Sequence, residues 1–174
     1  MGGGISLTRK HEQALRVDAI EGYGGNVSPI YDCVYDRRFV GDIREVLPSL
    51  TSYDVVICSH VIEHFEKDEA WRLIGLMRER AKAAVVLGLP FGEWPQDEVD
   101  GNALEVHRST WHERDFRGPD VLVKRFGRGR RRSGLVVWGQ NDHARWLVKG
   151  LGNPFLSLAR RCACLCRGTG NDRG

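Results

Sequence analysis

No uncharged stretch in this sequence runs beyond about ten positions, Ala83–Gly92 being one, whereas a helix needs roughly 20 apolar residues to cross a bilayer. A membrane-spanning helix is excluded, and no membrane partner is expected. The N-terminus lacks a basic segment followed by an apolar one, so no secretory leader is expected and a reducing, cytoplasmic compartment is the default. The five cysteines include no C-x-x-C pair. Three of them, Cys162, Cys164 and Cys166, form a C-x-C-x-C run that reads as reduced thiols rather than a structural zinc site. There is no internal repeat and no recognisable nucleic-acid-binding module. Net charge is a modest +3, although Arg125, Arg128, Arg130, Arg131 and Arg132 crowd one short stretch, which reads first as a solvated turn.

What is present is an ordinary globular composition, 41% hydrophobic and 28% charged over 174 residues, enough for one core. Short runs rich in valine and isoleucine alternate with amphipathic stretches, the pattern of a parallel sheet with helical crossovers. Strands are predicted at Arg16–Ile20, ending at Glu21; at Arg38–Val40, ending at Gly41-Asp42; and at Asp54–Cys58, continuously apolar as a strand covered on both faces would be. A helix is predicted from Lys67 to Ala83, with Ala70, Leu73, Ile74, Met77 and Ala81 on one face. A buried strand follows over Ala84–Leu89, closed by Pro90. Between the first two strands a short helix is expected near Ser28-Pro29. Thr110-x-x-Glu113 is a capping-box signal for a helix starting at Trp111 and including Phe116. Val121–Phe126 and Gly134–Trp138 are predicted as antiparallel neighbours at a sheet edge. Residues 1–140 thus read as one domain, and 141–174 as an extension, helical and then disordered.

Ligands of doubly wound sheets bind at the carboxyl ends of the strands, where an acid can hold ribose hydroxyls. Glu21 and Asp42 stand at two successive ends, and Ser59-His60-Val-Ile-Glu63-His64 follows the strongest strand. On these residues, together with Gly2-Gly3-Gly4, the chain resembles the class I S-adenosylmethionine (SAM) dependent methyltransferases over roughly residues 2–138. The resemblance implies a Rossmann-like α/β fold, doubly wound and mostly parallel with an antiparallel edge hairpin, and SAM as cofactor. It implies cofactor-binding roles for Gly2 and Gly4 in a glycine-rich turn, Glu21 at the ribose, Asp42 and Ile43 beside the adenine, and Ser59 and His60 in the family's fourth motif. The family's first, central strand has no counterpart before Gly2. The domain is therefore expected to be partial, its second and fourth strands lacking their shared neighbour.

In some relatives, notably small-RNA 2'-O-methyltransferases, a segment like His60-x-x-Glu63-His64 and a later histidine hold a divalent metal. Here Glu105-Val-His107 through Asp115-Phe116 has a similar layout, so His60, Glu63, His64 and His107 form a possible ligand set, one suiting zinc, manganese or iron. Without a metal, Glu63 and His64 would cap the loop, and His64 or His107 would serve as general base. The expected activity is methyl transfer to a small molecule or sugar. The alternatives are an RNA 2'-O-methyltransferase-like, metal-dependent enzyme and a truncated, non-catalytic binding domain.

Overall fold

The computed structural model describes residues 16–24, 35–127, 132–142 and 144–145. Gly2, Gly4, the predicted helix near Ser28-Pro29, Arg128, Arg130, Arg131 and nearly all of the C-terminal extension lie outside these residues.

Two strands open the fold, β1 (Asp18–Glu21) and β2 (Arg37–Val40), paired parallel. Helix α1 (Ile43–Ser49) follows, its first turn capped by the Asp42 side chain, which accepts the Arg44 N–H at 2.8 Å. Next come β3 (Tyr53–Ser59), α2 (Lys67–Arg80) and β4 (Ala81–Phe91), the predicted β-α-β unit, with β3 and β4 parallel. The last strands, β5 (Val121–Phe126) and β6 (Arg132–Gly139), are antiparallel. The larger sheet has the order β3-β4-β6-β5. Because β6 runs antiparallel to both neighbours, β3, β4 and β5 all point the same way. The architecture is mixed α/β with the expected edge hairpin, consistent with a Rossmann-like fold.

The core follows from two periodicities. Ala70, Leu73, Ile74 and Met77 bury one stripe of α2, and Val85, Leu87, Leu89 and Phe91 bury one face of β4. With Val136 and Trp138 of β6 they belong to a single cluster. Each large aliphatic side chain buried there contributes about 1.5–3 kcal/mol.

Three predicted boundaries are corrected. Helix α2 stops at Arg80 rather than Ala83, because Ala81 already takes extended backbone and pairs with Tyr53. Strand β4 runs through Pro90 to Phe91. Its pairing with β3 has ended at Gly88, so the missing N–H of Pro90 costs no ladder bond on that side. Finally, no helix starts at Trp111. That residue is fully buried and bridges Gly92, and only one 3-10 turn, Glu113–Asp115, forms before Gly118-Pro119 stops it. The Asp115 carboxylate, not Glu113, accepts the His112 N–H, at 2.8 Å.

Strands β1 and β3 are not paired with each other. Their first residues are nonetheless tied, Tyr53 Oη donating to Asp18 Oδ2 at 2.7 Å. The β3 edge away from β4 carries no strand among the described residues, and Val55 and Ile57, on one face of β3, are 46% and 49% exposed.

Candidate functional site

The site begins where β3 ends. His60, the first residue beyond the strand, takes left-handed backbone (φ 53°), which costs a non-glycine residue about 1–2 kcal/mol. Its N–H is anchored on the Gly88 carbonyl at 2.7 Å. The chain then makes a 3-10 turn, Ile62–His64, that sinks Ile62 and Glu63 into the interior. Glu63 is 0% exposed. Its Oε1 faces His60 Nδ1 at 3.1 Å, while Oε2 is buried without a hydrogen-bond partner.

A loop from Gly92 to Trp111 folds over this turn. Its ends are clamped by the Gly92–Trp111 bridge, and its return leg hangs on the turn's backbone: Arg108 and Ser109 both donate N–H to the Glu63 carbonyl, at 2.8 and 3.1 Å. Trp111 Nε1 donates to Ser109 Oγ at 2.9 Å, and Ser109 Oγ donates to the Ile62 carbonyl at 3.3 Å. This buried tryptophan holds the loop against the turn.

The loop thereby brings His107 beside His64, ring centroids 4.9 Å apart. His64 Nδ1 faces the Val106 carbonyl at 3.2 Å, and His107 Nδ1 faces the Trp94 carbonyl at 2.6 Å. A carbonyl oxygen only accepts, so Nδ1 carries a proton in both rings, and in the neutral imidazole the lone pair is on Nε2. One ligand atom each from Glu63, His64 and His107 lies within 4.8 Å of the others. With Glu63 Oε2 buried and unpartnered and both imidazoles fixed through Nδ1, the three side chains form a group that could hold a divalent metal. His60, predicted as a fourth ligand, is not among the converging groups. Its ring is turned to Glu63 Oε1 with 53% of the side chain exposed, and the carboxylate raises its pKa above the ordinary histidine value despite partial burial. Cys58, buried nearby, has its thiol pushed up to about 12, first by burial and then by the Glu63 charge, and behaves as an apolar group at neutral pH.

The predicted cofactor residues that are described, Glu21, Asp42, Ile43, Ser59 and His60, lie at or just beyond strand ends. Glu21 closes β1, its Oε1 accepting the Tyr23 N–H at 2.9 Å. Asp42 follows β2, caps α1 and is ion-paired with Arg44, which holds its carboxyl below the usual range. Ile43 starts α1 and packs against the core. Ser59 closes β3 against Gly88. The clamped loop reaches this edge too: a Cβ at Gly22 would lie 3.3 Å from Leu104 Cδ1. On the loop's own side, Glu93, Trp94, Pro95, His107, Arg108, Ser109 and Thr110 line a cavity of about 280 Å³. Trp94, Val106 and Ser109 orient these side chains; the sequence marks Trp94 only as an aromatic of a loop expected to overhang the pocket, and does not single out Val106 or Ser109. Two of them act through backbone carbonyls, which every residue has, so no side-chain signal marks that role.

No family model matches the chain, and no curated protein matches it. Among solved structures, it is similar to EvdMO1, at 16% identity and a TM-score of 0.48 over 74% of this chain and 32% of that one. It is similar also to LepI in complex with SAM, at 9% identity and a TM-score of 0.43 over 74% of this chain and 37% of that one. The chain spans about a third of the length of each.

Proposed function

We propose that this chain is the core of a SAM-dependent methyltransferase in which Glu63, His64 and His107 hold a divalent metal beside the acceptor hydroxyl. The observation that carries the reading is Glu63: its Oε2 is a fully buried, partnerless carboxylate oxygen, and one of its oxygens lies within 4.8 Å of a nitrogen from each of two imidazoles whose Nδ1 atoms are already committed. Such a group is costly to bury unless something positive completes it. Two nitrogens and one carboxylate suit zinc, manganese or iron better than magnesium.

The SAM part rests on the acids after β1 and β2 and on the resemblance of residues 59–64 to the family's fourth motif. Bound there, SAM would supply an activated methyl group, leaving the protein to position the acceptor and help remove its proton. Glu21 would hold the ribose, Asp42 and Ile43 the adenine side, and Ser59 and His60 the neighbouring edge. The Gly92–Trp111 loop is bonded to the Glu63 turn and carries Leu104 beside Gly22 at the end of β1, so it touches both sets of residues. A cavity of about 280 Å³ beside His107 offers room for a small hydroxylated acceptor such as a sugar.

Methyl transfer from SAM to a panel of sugars and small alcohols, run before and after chelation, tests the reading. Transfer that chelation abolishes and manganese restores supports it. Transfer indifferent to chelation rejects the metal role and leaves His64 or His107 as base.

A further inference from the structure

His60 carries two features that conflict unless its ring has a task. Its backbone sits at φ 53°, where glycine is the residue of least cost. Its side chain is half exposed, so the imidazole contributes little to the core. The ring turns Nδ1 to Glu63 Oε1 at 3.1 Å. The left-handed turn, anchored by the His60 N–H on Gly88, aims the ring back across the 3-10 turn at that oxygen.

We infer that His60 is a positioning residue: by donating Nδ1–H to Oε1 it fixes the Glu63 carboxylate so that Oε2 points at the nitrogens of His64 and His107. The inference rests on the metal site proposed above, and it gives His60 a different role from a fourth ligand. Three observations support it. The converging ligand atoms belong to Glu63, His64 and His107 without His60. Glu63 has one partnered and one unpartnered oxygen, the asymmetry expected of a carboxylate held by a neighbour for a single metal bond. The remaining ligands are fixed in the same manner, through His64 Nδ1 on Val106 and His107 Nδ1 on Trp94, so His60 completes a shell in which every ligand is oriented through the atom it does not offer.

Two substitutions separate this role from ligation and from mere structure. In His60→Gly the donor is lost while the left-handed backbone becomes unstrained, so thermal stability holds or rises as metal affinity falls. Asparagine tolerates left-handed backbone and places Nδ2 where histidine carries Nδ1, so His60→Asn restores the bond to Oε1. It does not restore an imidazole ligand. Mn(II) titration of the full chain, followed by the free-ion paramagnetic resonance signal, is the measurement. The expected result is His60→Gly weaker than wild type by about 10–100-fold, with His60→Asn near wild type. Equal affinity in wild type and His60→Gly overturns the positioning role while leaving the metal site intact. Equal losses in both variants make His60 a ligand and overturn it as well. A folded wild type that takes up no Mn(II) rejects the metal site and the role of His60 together.

Discussion

The rings of His64 and His107 meet edge to face, centroids 4.9 Å apart, and each turns its Nδ1 to a main-chain carbonyl of the same clamped loop, Val106 for one and Trp94 for the other. A nitrogen of each ring lies within 4.8 Å of an oxygen of Glu63, whose buried Oε2 has no hydrogen-bond partner. The proposed metal site rests on that convergence.

It predicts that Mn(II) stabilises the native chain. At a free concentration near 100 times Kd the gain is about 2.7 kcal/mol, or roughly 5–10 °C in Tm for a domain of this size. Glu63→Gln and His107→Ala abolish the rise. Manganese is the ion to use because the Cys162–Cys166 thiols compete for softer metals. An undiminished rise in Glu63→Gln would place the ion elsewhere.

Asp18 governs the acid limb of stability. Its side chain is 2% exposed, and it accepts from Arg37 at 2.8 Å and from Tyr53 at 2.7 Å. Arg37 first, then Tyr53 and Arg16, hold its pKa at about 2 against the opposing effect of burial, below an ordinary 3.8. A depressed carboxyl stabilises the fold above its unfolded value and loses that contribution as pH falls through the folded one. Wild-type Tm should therefore drop between pH 3.8 and about 2. Asp18→Asn should lack that part of the drop, being less stable than wild type at neutral pH by about 2 kcal/mol. Parallel acid limbs in the two proteins would refute the assignment.

Trp111 holds the loop on the turn. Truncation to alanine should cost about 3–5 kcal/mol, since the ring is fully buried, stacked on Phe116 with centroids 5.2 Å apart and edge-on to Trp71 at 5.5 Å. Trp111→Phe keeps much of that packing but removes the bond to Ser109, at about 1 kcal/mol. Hydrogen exchange at the Arg108 and Ser109 amides should then quicken while that of β4 does not. Uniform acceleration across the sheet would show Trp111 to be a core residue with no special hold on the loop.

Where local pattern and tertiary need agree, the sequence was readable. The run Asp54–Cys58 lies within β3, the stripe Ala70, Leu73, Ile74 and Met77 is the buried face of α2, and Val121–Phe126 pairs antiparallel with the strand after it. The two disagree at Thr110-x-x-Glu113, a helix-start signal overruled because Trp111 is held at the sheet end by Gly92. Of the site, Glu63, His64 and His107 were legible as types at a telling spacing. The division of labour between His60 and the other three was not. It depends on a left-handed φ and on carbonyl positions, which leave no mark on side-chain pattern.

Isothermal titration of S-adenosylhomocysteine into the purified chain, repeated on Glu21→Ala, tests the central claim most directly. The account predicts a single binding event that the substitution weakens by about 1 kcal/mol or more, as expected for hydrogen bonds lost from a charged group. A folded chain that gives no binding heat, or that binds equally well without the Glu21 carboxylate, would contradict it.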